Sequence, residues 1–154
     1  MTKKNAKITH GLIIREPWIS LILDGKKDWE LRSTATKIRG DIALIAAGTG
    51  CVVGVATLTG TTQKLSRLAL LFNRAHHRLN KKMLKSKETT KWNIAWVLKN
   101  SRRLKTPVAY RHPSGAVVWI KFDQDTQVKI MRAMPRILPS KNKAGNSGKT
   151  PSPR

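Results

Sequence analysis

Charged residues of both signs follow closely on an apolar segment near the start of the chain. The stretch reads "LDGKKDWELR", in which Lys27, Glu30 and Arg32 stand within six positions. Glu30 and Arg32 are two residues apart, so on a strand their side chains lie on the same face. A carboxylate between two cations stays ionised and accepts hydrogen bonds, while Lys and Arg bind phosphate or carbonyl oxygens. The spacing therefore makes these three residues candidates for a charged binding site.

The same three residues also suit catalysis or a purely structural role. In an enzyme, Lys27 or Glu30 would act as general base and Arg32 would stabilise an oxyanion. In a protein without such a site, the three charges would form a salt-bridge cluster that closes one end of the fold. Taken alone, the residue types favour the structural salt-bridge cluster over a ligand site.

Aromatic side chains close to the charges are candidates to stack on a base. Trp18 and Trp29 flank the charged stretch, although Trp in such positions is more often part of a core. Tyr110 falls in a predicted loop and is a candidate to line the same site. The predicted ligand-binding residues are Trp18, Gly25, Lys27, Glu30, Arg32 and Tyr110.

The segments before and within the charged stretch have strand, helix and strand patterns in turn. Residues 7–15 read as a short apolar strand, and Pro17 can occupy the first turn of a helix. Gly25 follows the apolar face of that helix and is a typical C-terminal cap. Residues 28–33 alternate apolar and charged side chains, which predicts a strand with one charged face.

The remaining strand patterns indicate a small sheet. Residues 39–48 and 51–60 are β-rich and joined by a Gly-Thr-Gly turn, which predicts a hairpin. Residues 91–100 and 115–123 return to β character, and a last short helix follows. This order of elements indicates an α+β domain built on a small, barrel-like sheet.

Positive charge dominates the chain and is concentrated in its middle. The sequence has 31 Lys and Arg against 8 Asp and Glu, a formal net charge of +23. Residues 61–105 contain thirteen of these cations and one acid. Because such an excess is self-repelling, it indicates a polyanionic partner, and nucleic acid is the predicted one.

The basic middle segment has a helical period. Between residues 63 and 87, apolar side chains recur at intervals of three and four, which predicts one helix with an apolar face. The apolar positions are Leu65, Leu68, Phe72, Ala75, Leu79 and Met83. The predicted nucleic-acid surface consists of Arg67, Arg74, Arg78, Lys81, Lys82, Lys85, Arg102 and Arg103.

Several other classes of function are disfavoured. No apolar run approaches the ~20 residues of a membrane span, and the N-terminus lacks the apolar region of a secretory signal. We therefore expect a cytoplasmic protein without a membrane partner. The single cysteine, Cys51, excludes an internal disulfide and a cysteine-rich zinc site. His76 and His77 have no Cys or carboxylate beside them, so we predict no metal site and no cofactor; the sequence does not indicate any protein partner.

The segment around the charged stretch resembles the ASCH domain, a PUA-like β-barrel family. That family is marked by a G-x-K-x-x-E-x-R signature, and Gly25, Lys27, Glu30 and Arg32 fill its four places. The Pro-Trp pair at the start of the preceding helix and the Arg-Gly pair at 39–40 also match the family pattern. The resemblance is strong over residues 10–60 and continues weakly through the later strands.

The resemblance implies a small PUA-like β-barrel with flanking helices and a pocket for a nucleotide or modified base. ASCH proteins are proposed to bind RNA, so the resemblance favours RNA over DNA as the partner. Some small members remove the acetyl group from acetylated cytidine, and ribonuclease activity is reported for others. The amidohydrolase members have a nucleophilic Thr three residues after the signature lysine, where this chain has Glu30.

We predict an ASCH/PUA-like domain at residues 10–136 with a basic helical insert at about 63–90. It would follow a flexible N-terminus at 1–9 and precede a disordered basic tail at 137–154. Three functions remain open at this stage. The protein could bind RNA through the charged pocket and basic surface, hydrolyse RNA or a modified nucleoside, or act as an accessory protein with no active pocket.

Overall fold

The structure, a computed structural model, describes residues 7–135. The predicted disordered tail lies outside these residues, as does most of the predicted flexible N-terminus. Ile8 is 1% exposed and belongs to the hydrophobic core. The backbone N–H of Phe122 also donates to the carbonyl of Thr9 at 2.9 Å. The folded domain therefore includes Ile8, which lies before the predicted boundary at residue 10.

Six strands and five short helices make up the described residues. The strands are β1 (His10–Ile14), β2 (Trp29–Arg32), β3 (Gly40–Ala46), β4 (Cys51–Thr61), β5 (Ile94–Ala109) and β6 (Trp119–Lys121). The helices are α1 (Trp18–Leu23), α2 (Arg67–Phe72), α3 (Arg74–His77), α4 (Lys81–Leu84) and α5 (Gln124–Ala133). This content confirms the predicted α+β class.

The strands form one sheet that curls into a half-barrel. Their order is β2-β5-β4-β3-β1-β6, with β1 and β3 parallel and the other neighbours antiparallel. Trp96 of β5 stacks on Trp119 of β6, with ring centroids 5.6 Å apart, although these strands lie near opposite ends of the sheet. Arg32 of β2 donates from Nη2 to the carbonyl of Ile13 of β1 at 2.8 Å. Side chains therefore bridge the open side of the half-barrel, which confirms the predicted barrel-like fold.

Helix α1 packs closely on the sheet at a glycine. Ile19 and Ile22 of α1 are buried in the main core. A Cβ at Gly54 of β4 would overlap the side chain of Leu23 and lie 2.8 Å from the carbonyl oxygen of Arg102. Glycine at this position therefore lets α1 approach the sheet, and the approach fixes the loop that follows α1.

The basic insert is helical, but the single helix predicted over residues 63–87 is wrong. Three short helices replace it because Ser66 and Asn80 each cap a new helix start with a side-chain oxygen. Arg78 ends α3 in the left-handed region, at φ +67°. The predicted apolar face is divided as a result, and Leu68 and Phe72 are 61% and 78% exposed.

The insert docks on the sheet through a small core of its own. Leu70 and Leu79 are buried against Leu31 of β2 and Ala95 of β5. Leu79 belongs to the predicted apolar face, whereas Leu70 lies between its positions, so the predicted face is only partly the one that packs. The insert consequently covers β2, the strand with the charged residues.

Candidate ligand-binding cleft and basic surface

A cleft of about 470 Å³ lies where β1, β2, the start of α1 and the insert meet. The residues 112–117, which precede β6, form its remaining side. Its charged and polar lining residues are Arg15, Lys27, Glu30, Arg32 and His112. Trp18 and Trp92 add aromatic surface to the lining. A cleft with a few convergent polar groups and aromatic sides is typical of a small-ligand site.

Lys27 is buried in this cleft with 4% of its surface exposed. Its Nζ donates to the carbonyls of Trp29 at 2.5 Å and His77 at 2.7 Å, and lies 3.7 Å from Glu30 Oε2. Nζ also lies 5.3 Å from the ring centre of Trp18, within the range of a cation–π contact. Burial lowers the pKa of Lys27 below its usual value, and the Glu30 carboxylate opposes that shift. Lys27 is thus held in place, and most of its N–H donors already face groups of the protein.

Glu30 and Arg32 have buried polar atoms that form ion pairs but no hydrogen bond within the described residues. Glu30 is 8% exposed, and its Oε1 lies 3.6 Å from Arg32 Nε, too far for a good hydrogen bond. Among the described residues, neither Glu30 Oε2 nor Arg32 Nε has a hydrogen-bond partner. Buried polar groups are normally satisfied, and an exception needs an explanation such as a bound ligand or water. The buried Glu30 and Arg32 in the cleft lining therefore have hydrogen-bonding capacity that the protein does not use.

The structure brings together four of the six predicted ligand-binding residues. Trp18, Lys27, Glu30 and Arg32 all line the cleft. Gly25 does not line it; at φ +75° it makes the left-handed turn that sends the chain from α1 towards Lys27.

Tyr110 lies outside this cleft, in a neighbouring cavity of about 450 Å³. Its hydroxyl is 2.9 Å from Nδ1 of His112, which lines both cavities. Burial raises the pKa of the Tyr110 hydroxyl. Because the other ring nitrogen of His112 pairs with the carbonyl of Ala116 at 2.9 Å, both ring nitrogens are engaged. Tyr110 thus positions His112, which lines the cleft, but Tyr110 does not line the cleft itself.

Sequence reasoning missed Arg15, Trp92 and His112 as residues of the cleft. His112 follows Tyr110 closely, and this nearness was the one available signal. Arg15 follows β1 and Trp92 precedes β5, and neither belongs to the signature. Their approach depends on how the half-barrel curls, which no local pattern encodes.

The insert is also part of the site, because helix α3 contacts the loop that contains Lys27. The carbonyl of His77 accepts from Lys27, and Arg78 Nε donates to the carbonyl of Lys26 at 2.6 Å. His76 Nδ1 lies 2.7 Å from Asp28 Oδ1. The basic insert and the charged cleft therefore form one structural unit.

The predicted nucleic-acid surface divides into engaged and unengaged cations. Arg78 contacts a carbonyl of the signature loop, and Arg103 pairs with Asp24 at 2.6 Å. Arg102 is only partly exposed, whereas the other seven members are exposed. Lys81, Lys82 and Lys85 form no salt bridge with any acid in residues 7–135. These lysines are free to contact an external anion, as are Arg67 and Arg74 with their remaining donors.

Two negative findings apply to the described part of the chain. Residues 7–135 contain no group of three or more His, Cys, Asp or Glu that could hold a metal ion. No helix of those residues is long and apolar enough to cross a membrane.

The fold matches solved structures at low sequence identity. The crystal structure of ASCH from Zymomonas mobilis gives a TM-score of 0.62 at 13% identity, over 82% of this chain and 96% of that one. Two single-substitution variants of the Zymomonas mobilis protein give TM-scores of 0.58 at 14% identity and 0.61 at 13%. Each covers 80% of this chain, and the matches span 94% and 96% of those chains. The chain thus has the half-barrel fold of ASCH proteins.

The sequence match is consistent with this fold. A family model described as the ASCH domain matches residues 12–107, well over half of the chain. The protein belongs to the ASCH domain family, as the resemblance predicted. No curated protein matches it.

Proposed function

We propose that this protein binds RNA, with one base or nucleoside in the cleft and the phosphate backbone on the basic surface. The observation that carries this proposal is that two residues lining the cleft have buried polar atoms without a hydrogen-bond partner, Glu30 Oε2 and Arg32 Nε. A base edge presents both donors and acceptors, and a carboxylate and a guanidinium can pair with them. Trp18 and Trp92 line the same cleft and offer aromatic faces for stacking.

Binding is better supported than catalysis. The Nζ of Lys27 donates to two backbone carbonyls and faces Glu30, which limits its use as a base or nucleophile. Glu30 stands where the acetylcytidine-removing members have a nucleophilic Thr. Hydrolysis of RNA or of acetylated cytidine therefore remains an outcome to be tested.

The test compares two variants with the same change of charge. Glu30→Gln removes the carboxylate from the cleft, whereas Glu88→Gln removes the exposed carboxylate of the insert. Since a hydrogen bond to a charged group contributes about 1.5–3 kcal/mol, Glu30→Gln should weaken RNA binding roughly 10- to 100-fold. Glu88→Gln should bind at least as tightly as the unsubstituted protein. Fluorescence anisotropy with a labelled single-stranded RNA gives both affinities.

Three results would overturn parts of this proposal. Equal affinities for the two variants would leave the cleft without a role in binding. Equal affinity for DNA of the same sequence would remove the preference for RNA. Product formed from the RNA or from acetylated cytidine, and lost in Glu30→Gln, would replace binding by hydrolysis.

A further inference from the structure

Exposed apolar side chains of the described residues are concentrated in the basic insert. Of the six large apolar side chains that are exposed, four lie between residues 68 and 83: Leu68, Leu71, Phe72 and Met83. Phe72 is the most exposed of the six, at 78%. Scattered exposed apolar residues are ordinary, but a cluster of them marks an interaction site.

Phe72 extends from a helix that is anchored to the domain. Leu70, two residues before it, is buried in the core that joins the insert to β2 and β5. Ser66 caps the start of α2 by accepting from the backbone N–H of Ala69 at 3.0 Å. The outward position of Phe72 is therefore a property of a docked helix.

Cations flank the exposed ring on both sides along the chain. Arg74 Nε donates to the carbonyl of Leu71 at 3.3 Å, and Arg67 Nη2 donates to the carbonyl of Leu84 at 2.9 Å. Neither guanidinium pairs with an acid in residues 7–135. Each retains N–H donors for an external anion. An exposed aromatic ring therefore lies close in sequence to two basic groups that have no acidic partner among the described residues.

We infer that Phe72 is a stacking site for a base of single-stranded nucleic acid, with Arg67 and Arg74 binding the adjoining phosphates. Aromatic side chains beside cations bind single strands in this way, because every unpaired base offers a planar face. The bases of a duplex are stacked within the helix, so a duplex cannot use Phe72. Helix α2 has only six residues, which is short for the apolar face of a membrane-bound helix.

This stacking site presupposes the RNA binding proposed above and adds the class of strand that is bound. One bound strand would then make two distinct contacts, one in the cleft and one on the insert. Variants of Phe72 and of Glu30 therefore test different surfaces of the same protein.

The experiment uses the full chain and a labelled mixed-sequence RNA of about 20 nucleotides, longer than the roughly 4–16 nucleotides that one single-strand-binding fold covers. Its affinity is measured alone and after annealing to its complement, at one salt concentration. Phe72→Ala should weaken single-strand binding roughly 5- to 100-fold and leave duplex binding unchanged. Phe72→Tyr should restore single-strand binding, since it keeps the ring. Leu68→Ala, on the same exposed helix, should bind like the unsubstituted protein.

Several outcomes would overturn the stacking site. They are unchanged single-strand binding by Phe72→Ala, an equal loss in Leu68→Ala, or an equal loss for the duplex. Binding to vesicles of anionic lipid that depends on Phe72, without such dependence for RNA, would assign the patch to a membrane. If Phe72→Ala binds normally while Glu30→Gln does not, only the stacking site fails; the reverse result removes the cleft and keeps the stacking site. If the unsubstituted protein does not bind single-stranded RNA, both fail.

Discussion

Lys27 is the residue on which the charged cleft depends. Its Nζ joins the carbonyl of Trp29 in β2 to the carbonyl of His77 in the insert, and it faces the buried Glu30 carboxylate. A buried ion pair contributes little net stability, but removal of one partner leaves the other charge uncompensated. Lys27 therefore has a structural role that is distinct from ligand binding.

Replacement of Lys27 should destabilise the whole domain. We expect Lys27→Met to lower the free energy of unfolding by about 3–5 kcal/mol, because it leaves Glu30 buried with a single cation and two carbonyls without their donor. Lys26→Met, at the exposed neighbouring position, should change it by less than about 0.5 kcal/mol. Urea denaturation followed by circular dichroism measures both. Equal stability of the two variants would show that the buried contacts of Lys27 contribute nothing.

Local spacing predicted that Lys27, Glu30 and Arg32 lie together, and the structure brings them and Trp18 into one cleft. Glu30 and Arg32 are placed together by the two-residue repeat of a strand, and the turn at Gly25 brings Lys27 beside them. The donors and acceptors that satisfy Lys27 could not be predicted, because the carbonyl of His77 is fifty residues away in sequence. Tyr110 was assigned to the cleft from its loop position, but the loop directs His112 there instead.

At the scale of elements, the insert is a set of three short helices that positions the signature loop. His77 at the end of α3 is fully buried, and its ring is neutral. Its Nδ1 must accept, since the N–H of Leu79 donates to it at 3.0 Å, and its Nε2 must donate to the carbonyl of Leu70 at 2.6 Å. Burial lowers the pKa of His77, and the nearby charges of Lys27 and Arg74 act in the same direction.

The stability of the protein should therefore fall in mild acid. Between the unfolded pKa of about 6.5 and the lower folded pKa of His77, the unfolded chain binds a proton that the folded chain does not. The stability that the uncharged His77 ring contributes is fully present above pH 6.5. It decreases as the pH falls towards the pKa of His77 in the folded protein. Urea denaturation at neutral pH and at about two units lower measures the difference.

Two variants test whether this pH dependence comes from the ring of His77. His77→Leu removes the titrating group, so the stability lost between the two pH values should shrink, although the variant is less stable at both. His76→Gln, at the exposed adjacent position, should not shrink this loss, because it leaves the His77 ring in place. An undiminished loss in His77→Leu would contradict the assignment.

Most strands and α1 were predictable from short apolar periods. However, β5 continues nine residues past the predicted end at residue 100, and β6 covers only three of the predicted residues 115–123. The insert was predictable as helical and basic, but not as three helices. Side-chain caps at Ser66 and Asn80 each start a new helix, although the apolar period continues across both positions. The single helix would also have buried Phe72, which the structure leaves exposed.

At the scale of the whole molecule, the proposed binding divides between the bulk positive charge and the charged cleft. The net charge of +23 provides attraction for any polyanion, whereas the cleft contains a buried carboxylate that bulk attraction does not require. Free cations such as Lys81, Lys82 and Lys85 are suited to phosphate contact, and contacts of this kind confer little selectivity. Affinity and selectivity should therefore respond differently to salt.

RNA affinity should fall steeply with salt, and three lysines of the insert should account for part of the slope. A protein that contacts 6–10 phosphates loses about 10³–10⁵ in affinity between roughly 50 and 200 mM salt. Replacing Lys81, Lys82 and Lys85 together with Ala should reduce the slope of log affinity against log salt by about 0.7 for each contact to a single strand. Anisotropy titrations over a series of salt concentrations measure the slope.

A matched variant separates local contacts from net charge. Ala at the exposed Lys7, Lys37 and Lys121 removes the same total charge from outside the insert. Its slope should stay close to that of the unsubstituted protein. If the two triple variants have equal slopes, the insert makes no special phosphate contacts.

The dependence of Lys27 on a carbonyl in α3 restricts how this protein can be trimmed. Deleting residues 63–90 to obtain a smaller and less basic domain would remove the carbonyl of His77 and the aliphatic surface of Leu79 from the cleft. The shortened chain would retain all four signature residues and still lack a formed site. Charge should therefore be reduced by substitutions on the exposed lysines, with the backbone of the insert left in place.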